Sequence, residues 1–323
     1  MEKYNYIFDY INSQFTNSVI TENDLFSFKN IINKESILEL LHDIINNDDL
    51  LEKISQRSYT HALGFDKIVL MDLSKDVSAN SPKTQLRLHL WHPEINGVPM
   101  IESLHEHSFN FISTVLSGKL ENQVFNLENL KDDDLILLKK FELALSKLTK
   151  EDVSFVNTQI EILEAYKLKE FGSDQFDTLN LSDSFEKDKC KELLCLNEEE
   201  FLKLATLEKH YVSDRIRGER KKYKHVFNKY VKLTPHNILK VNANDYYFHS
   251  YLKPHRLYYD NKILNATLLI TTPIDENPQG GSLQRPSYLN TNEKEYDKMP
   301  LNSITLKNKL INLLAYLSED IFS

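Results

Sequence analysis

The chain contains the stretch Leu104-His105-Glu106-His107, and Val-Leu-Ser-Gly-Lys-Leu follows at residues 115–120. The segment has the composition of a β-strand, in which alternate side chains point to the same face. We therefore expect His105 and His107 to point the same way, which would place half of a metal site on one strand. Ser117-Gly118 predicts a turn, after which Lys119 to Phe125 is predicted to return as the second strand of a hairpin.

A second stretch with histidines lies far downstream, at residues 246–257: Tyr-Tyr-Phe-His-Ser-Tyr-Leu-Lys-Pro-His-Arg-Leu. A lone His-x-His pair also occurs on solvated strands that bind nothing, so the second stretch is what makes the first informative. It offers His249 and His255, which would share a face if one uninterrupted strand carried both. The residues alone leave the choice between these two histidines open.

Together the two stretches resemble the two motifs of the cupin superfamily. His105-x-His107 with Gly118 and Phe125 resembles the first motif, and Asp245-Tyr246 with the run Pro254-His255-Arg256-Leu257 resembles the second. The resemblance covers residues 58–125 and 223–273. It implies a cupin-type double-stranded β-helix barrel that binds one metal ion in its mouth. The implied ligands are His105, His107 and His255, with His249 as the alternative third ligand.

One difference from the common cupin motif narrows the resemblance to a smaller group of cupins. Many cupins place a further glutamate ligand four or five residues after the second histidine, where this chain has Phe111 and Ile112. A site of three histidines with open coordination positions is similar to that of the thiol dioxygenases, such as cysteine dioxygenase. The position of that family's catalytic tyrosine falls near Thr271. The resemblance implies Fe(II) as the metal; neutral imidazoles also suit zinc, nickel and copper, and manganese stays open.

Residues 84–91 alternate cleanly between two kinds of side chain. Leu86, Leu88 and Leu90 share one face, and Arg87, His89 and Trp91 share the other. In thiol dioxygenases an arginine on an early strand holds the substrate carboxylate, so the resemblance implies this role for Arg87, whose planar fork suits it. A surface arginine is the alternative. His89 is a second candidate for binding substrate.

Changes in periodicity divide the chain into five segments. The fold class is mainly β with added α. The predicted segments are N-terminal helices at 1–57, the first half of the barrel at 58–126, a helical insertion at 127–222, the second half at 223–275, and a tail with a C-terminal helix at 276–323. The insertion could be a lid over the metal, a dimerisation arm or a decoration.

Composition excludes several classes of protein. Hydrophobic residues make up 41% and charged residues 27% of the 323 positions, which is ordinary for a globular protein. A net charge of −9 argues against a nucleic-acid partner. Two cysteines do not support a disulfide framework, and no apolar run is long enough to span a membrane. We expect a cytoplasmic protein.

The sequence therefore predicts a metal-dependent cupin oxygenase, a non-heme iron enzyme acting on a small amino-acid-, amine- or thiol-like substrate. Two alternatives are carried forward. One is a metal cupin of another reaction class, such as an isomerase or a bond-forming enzyme of natural-product assembly. The other is a non-catalytic cupin that binds a small ligand. The expected partner is a small molecule, and a homodimer is compatible with the sequence.

Overall fold

A computed structural model describes residues 2–15, 18–61, 64–73, 84–93, 100–102, 104–215, 222–273, 281–284, 295–297 and 299–319. The helices are α1 (Glu2–Phe15), α2 (Leu25–Ile31), α3 (Lys34–Ile45), α4 (Asp48–Ser55), α5 (Asp132–Leu145), α6 (Lys150–Lys169), α7 (Gln175–Thr178), α8 (Lys187–Leu194), α9 (Glu198–Leu204) and α10 (Ser303–Glu319). The strands are β1 (Tyr59–Thr60), β2 (Asp66–Asp72), β3 (Gln85–Trp91), β4 (Met100–Ile101), β5 (His105–Glu106), β6 (Phe109–Ser117), β7 (Lys119–Asn129), β8 (Leu207–Arg215), β9 (Lys222–Asn242), β10 (Tyr246–His249), β11 (His255–Tyr259), β12 (Asn265–Pro273), β13 (Gly281–Gln284), β14 (Glu295–Asp297) and β15 (Met299–Pro300).

The strands form two antiparallel sheets, one of which curls into a half-barrel. Sheet A has the order β10-β6-β12-β3-β2-β1-β15, and sheet B has the order β14-β9-β7-β11-β5-β13-β8. The fold is a mixture of helices and sheets. No helix among the described residues has the length and apolar character needed to cross a bilayer.

The N-terminal helices and α10 cover one face of sheet A. Their apolar stripes pack against the leucines of β3, as the alternation of residues 84–91 predicts. The stripe of α10 consists of Leu306, Leu310, Leu313 and Leu317, all buried. Because Leu86, Leu88 and Leu90 lie under these helices, Arg87 and His89 point to the opposite face of the sheet.

A second apolar cluster fills the space between the two sheets. Sheet A contributes Trp91, Phe111 and Leu269, and sheet B contributes Leu257 and Tyr259. The inner face of each sheet therefore packs on that of the other, as in layered β proteins.

The segment between β7 and β9 is mainly helical and has its own core. Side chains of α5, α6, α8 and α9 pack on one another and on β8. Leu168 of α6 also packs on Phe125 and Leu233 of sheet B. The helices therefore lie on the outer face of sheet B. Strand β8, which falls within the predicted helical insertion at 127–222, adds a strand to that sheet by pairing with β9 and β13.

The long strand β9 contains Pro235. It runs unbroken through Thr234-Pro235-His236 and pairs with β8 through its first half and with β7 through its second. The register shifts between Val124 and Phe125, opposite Pro235. Proline has no N–H for the ladder, and an irregularity in the pairing accommodates it.

The prediction that Ser117-Gly118 connects two strands of one hairpin is wrong. The chain does reverse there, but β6 lies in sheet A and β7 in sheet B, so the turn connects two sheets. Gly118 has φ of +79°, and a Cβ at this position would lie 2.1 Å from Oδ1 of Asn265. That oxygen accepts the Lys119 N–H. Glycine is required here both for its conformation and for its size.

We predict that Gly118→Ala destabilises the protein by at least about 3 kcal/mol, because it adds overpacking to backbone strain. Gly64→Ala is the matched control. Gly64 has φ of +86°, but a Cβ added there would have nothing within 4 Å, so this variant incurs backbone strain alone. We expect about 1–2 kcal/mol for it. Urea denaturation of both variants measures the difference, and equal losses would contradict the steric account.

Candidate metal centre

The candidate site lies where the chain passes between the sheets. Strand β5 ends at Glu106 in sheet B and β6 begins at Phe109 in sheet A, so His107 lies in the passage between them. In the opposite direction, β10 ends at His249 in sheet A and β11 begins at His255 in sheet B. The two passages are adjacent, since the Leu252 N–H donates to the His107 carbonyl at 3.1 Å. The expectation that one strand holds both His105 and His107 is wrong, yet the two imidazoles still meet.

Three imidazoles converge at these passages. One nitrogen from each of His105, His107 and His255 lies within 4.8 Å of the others. Backbone pairing contributes to this, because His105 and His255 are direct partners in the ladder between β5 and β11. Nε2 of His255 lies 3.0 Å from Nε2 of His107. Two nitrogens that bind one ion at about 2.1 Å and at right angles are about 3.0 Å apart, so this pair already has a suitable spacing.

The electrostatic environment keeps His107 and His255 neutral. Burial lowers the pKa of His107 and of His255 well below the usual value, and the neighbouring imidazoles lower both further. Only a deprotonated ring nitrogen can bind a metal ion. The group therefore presents the donor set that a transition metal needs, and its residues fit such an ion.

His249, the alternative ligand, is engaged elsewhere. Its Nε2 donates to the Lys253 carbonyl at 3.0 Å, within the turn that leads to β11. Its ring stacks on Phe111 and lies 4.0 Å from the ring of His255. Burial lowers its pKa to about 4. His249 thus forms a wall of the site, and the geometry favours His255 as the third ligand.

Asn122 orients the ring of His255. Its Oδ1 accepts the Nδ1–H of His255 at 2.8 Å, and both side chains are buried. This hydrogen bond places the proton on Nδ1 and leaves Nε2 free to bind a metal, which is the usual arrangement around metal-bound histidines. Asn122 was not predicted, although the sequence contains a signal for it. Asn122 shares one face of a predicted strand with the apolar residues Leu120 and Val124, and a polar residue on an apolar face indicates a specific partner.

Arg87 points into the space between the sheets and is 7% exposed. Its guanidinium carbon lies 4.7 Å from the ring centre of Phe109, and that ring stacks on His107 at 4.7 Å. Nε donates to Oε1 of Gln85. Burial lowers the pKa of Arg87 to about 10. Among the described residues, no carboxylate lies within ion-pair distance of this cation.

His89 lies on the same inner face as Arg87. Its ring packs against Phe65 at 4.5 Å, and Nε2 is buried with no hydrogen-bond partner in the described part of the chain. Burial lowers its pKa well below the usual value. Arg87 and His89 thus both point into the space between the sheets, and their role in binding substrate remains a prediction.

Glu102 is a buried carboxyl group that also lies between the sheets. It was not predicted from the sequence as part of the site. Its Oε1 accepts the indole N–H of Trp91 at 3.0 Å, and its backbone pairs with Leu257. Burial raises the pKa of Glu102 to about 8, so the group is largely protonated at neutral pH. It therefore adds no negative charge to the interior.

No protein-family model matches this chain, and no curated protein is similar to it in sequence. The case for a function therefore depends on the site itself.

We predict that His255→Ala abolishes tight metal binding, because it removes one of three ligands. His249→Ala should keep wild-type metal stoichiometry, since its Nε2 already bonds the Lys253 carbonyl. Metal content after dialysis against a weak chelator measures both. The reverse result, with metal lost only in His249→Ala, would show that the third ligand is assigned wrongly.

Proposed function

We propose that this protein is a metal-dependent oxygenase with a mononuclear non-heme iron site and a cupin-type fold. The observation that carries the proposal is the convergence of three imidazoles, from His105, His107 and His255, with one nitrogen of each within 4.8 Å of the others. Within the described residues, the group includes no carboxylate. Three protein ligands are typical of catalytic rather than structural metal sites, because they leave coordination positions open.

The arrangement of the sheets supports the cupin part of the proposal. Two antiparallel sheets face each other, and the histidines lie between them at the ends of strands from both motifs. This is where the cupin resemblance expects a metal site. The half-barrel and the covering helices are compatible with a double-stranded β-helix that carries additions at both ends and in the middle.

Arg87 supports an anionic substrate. Burial of a cation without a direct carboxylate partner is costly, and an incoming anion would offset that cost. Phe109 contacts both Arg87 and His107, so an anion bound to Arg87 would lie on the side of the metal site that Phe109 lines. A bound ferrous ion supplies open positions for a substrate group and dioxygen. Arg87 would orient the substrate through its carboxylate, which favours a small amino-acid- or thiol-acid-like molecule.

The test is metal analysis of protein purified without added metal, followed by oxygen-uptake assays with small thiols, amines and amino acids. We expect about one iron per chain and oxygen consumption with a carboxylate-bearing substrate. Zinc or nickel with turnover that needs no oxygen would replace the proposal with a metal enzyme of another class. A protein with neither metal nor turnover would be a ligand-binding cupin, and the proposal would fail.

We predict that Arg87→Met keeps the metal but raises KM for the substrate found in that screen by about 10–100-fold, the loss expected for one charge-assisted hydrogen bond. Arg57→Met is the matched control. Arg57 is a half-buried arginine whose donors bond backbone carbonyls of Val69 and Leu70. It should alter stability and leave KM unchanged. An unchanged KM in Arg87→Met would remove Arg87 from the site.

A further inference from the structure

The residues next to the metal histidines face the other side of sheet B. Because side chains alternate, His105 and His255 face the space between the sheets, whereas Glu106 and Arg256 face away from it. Both side chains are ionisable, yet they are only 7% and 6% exposed. Helix α6 and strand β8 bury them, and both elements belong to the segment between the two sheet halves.

Helix α6 holds Arg256. Nη1 of Arg256 donates to Oε2 of Glu164 at 3.0 Å, and Nε donates to Oε1 of Gln123 at 2.7 Å. The guanidinium also lies over the ring of Phe125. Gln123 is the direct ladder partner of Arg256. The residue that follows His255 is therefore fixed to its own sheet and to the helix behind it.

Strand β8 holds Glu106. Nε2 of His210 donates to Oε1 of Glu106 at 2.9 Å, and Nδ1 of His210 accepts from the Asn228 amide at 3.1 Å. This row of hydrogen bonds ends on the residue between the two metal histidines. Strand β5 consists of two residues only, so its backbone ladder is short. The side-chain bond supplies a restraint that the ladder does not.

Buried charged pairs are poor sources of net stability. Desolvation offsets most of their attraction, and apolar residues of similar size often replace them without loss. They do define position, and metal ligands need their geometry held within about 0.5 Å. One buried ion pair, Arg256–Glu164, and one buried hydrogen bond, His210–Glu106, each lie beside a metal histidine and each reach into the same segment, which indicates a common purpose.

We propose that Glu164 and His210 are positioning residues of the metal centre. Through Arg256 and Glu106 they fix, from behind, the backbone that carries His255, His105 and His107. The inference rests on the metal site proposed above. It gives the segment between β7 and β9 a role that is distinct from a lid or a dimerisation arm: it sets ligand geometry from the face opposite the substrate.

The first test removes both members of the Arg256–Glu164 ion pair. Arg256→Met/Glu164→Leu should fold, because both partners become apolar. Asp66→Asn/Lys309→Met is the matched control, since it removes an ion pair of 2.6 Å between the buried Asp66 of sheet A and the partly exposed Lys309 of α10. Co(II) serves as the probe. Competition with a chelator gives the dissociation constant of the Co(II) complex of each variant, and the absorption spectrum of bound Co(II) reports the geometry of its ligands. Urea denaturation of the metal-free protein measures stability.

The second test compares His210→Gln with His210→Leu in the same assays. A glutamine amide can donate to Glu106, whereas leucine cannot. If His210 is a positioning residue, His210→Gln should keep Co(II) affinity and spectrum, and His210→Leu should not. This comparison tests the proposal even if the Arg256/Glu164 double variant does not fold.

We expect Co(II) affinity to fall by about 10–100-fold in the Arg256/Glu164 double variant and in His210→Leu, with an altered spectrum. The control and His210→Gln should keep the wild-type spectrum and affinity. Wild-type affinity and spectrum in all variants would overturn the inference while leaving the metal site intact. Absence of Co(II) binding by the wild-type protein would instead overturn the proposed function, and the inference with it.

Discussion

Two adjacent passages of the chain between facing sheets hold the site together. One carries His107 from sheet B toward sheet A, and the other runs back from His249 to His255. The hydrogen bond from the Leu252 N–H to the His107 carbonyl ties them side by side. Leu252 has φ of +52°, a conformation that costs a leucine about 1–2 kcal/mol. Residues held in such conformations cluster at functional sites, where the surrounding structure enforces them.

The polar groups of the interior follow one physical rule. A buried group is tolerated when it is neutral or when its hydrogen bonds are satisfied. Glu102 is neutral because burial raises its pKa to about 8, and the imidazoles of His107 and His255 are neutral because burial lowers theirs. Arg87 differs from these groups, because it keeps its charge without a direct carboxylate partner among the described residues. For this reason we propose that it binds an anionic substrate.

Periodicity predicted the elements better than it predicted their partners. The alternation of Leu86, Leu88 and Leu90 correctly indicated the face that packs under the helices. The Ser117-Gly118 turn was also found, but a hairpin and a turn between sheets have the same local pattern, and only long-range pairing separates them. The choice between His249 and His255 was open because it depends on the turn at 250–254. The burial of Glu106 and Arg256 could not be predicted, because the residues next to them in the sequence do not show that a distant helix and strand will cover them.

The central claim is that His105, His107 and His255 bind one metal ion. X-ray absorption spectroscopy of the zinc-loaded protein tests it most directly. Three imidazole nitrogens at about 2.0–2.1 Å, with the remaining positions filled by light atoms from solvent, is the result that this account predicts. A sulfur ligand, or fewer than three imidazoles per zinc ion, would contradict it.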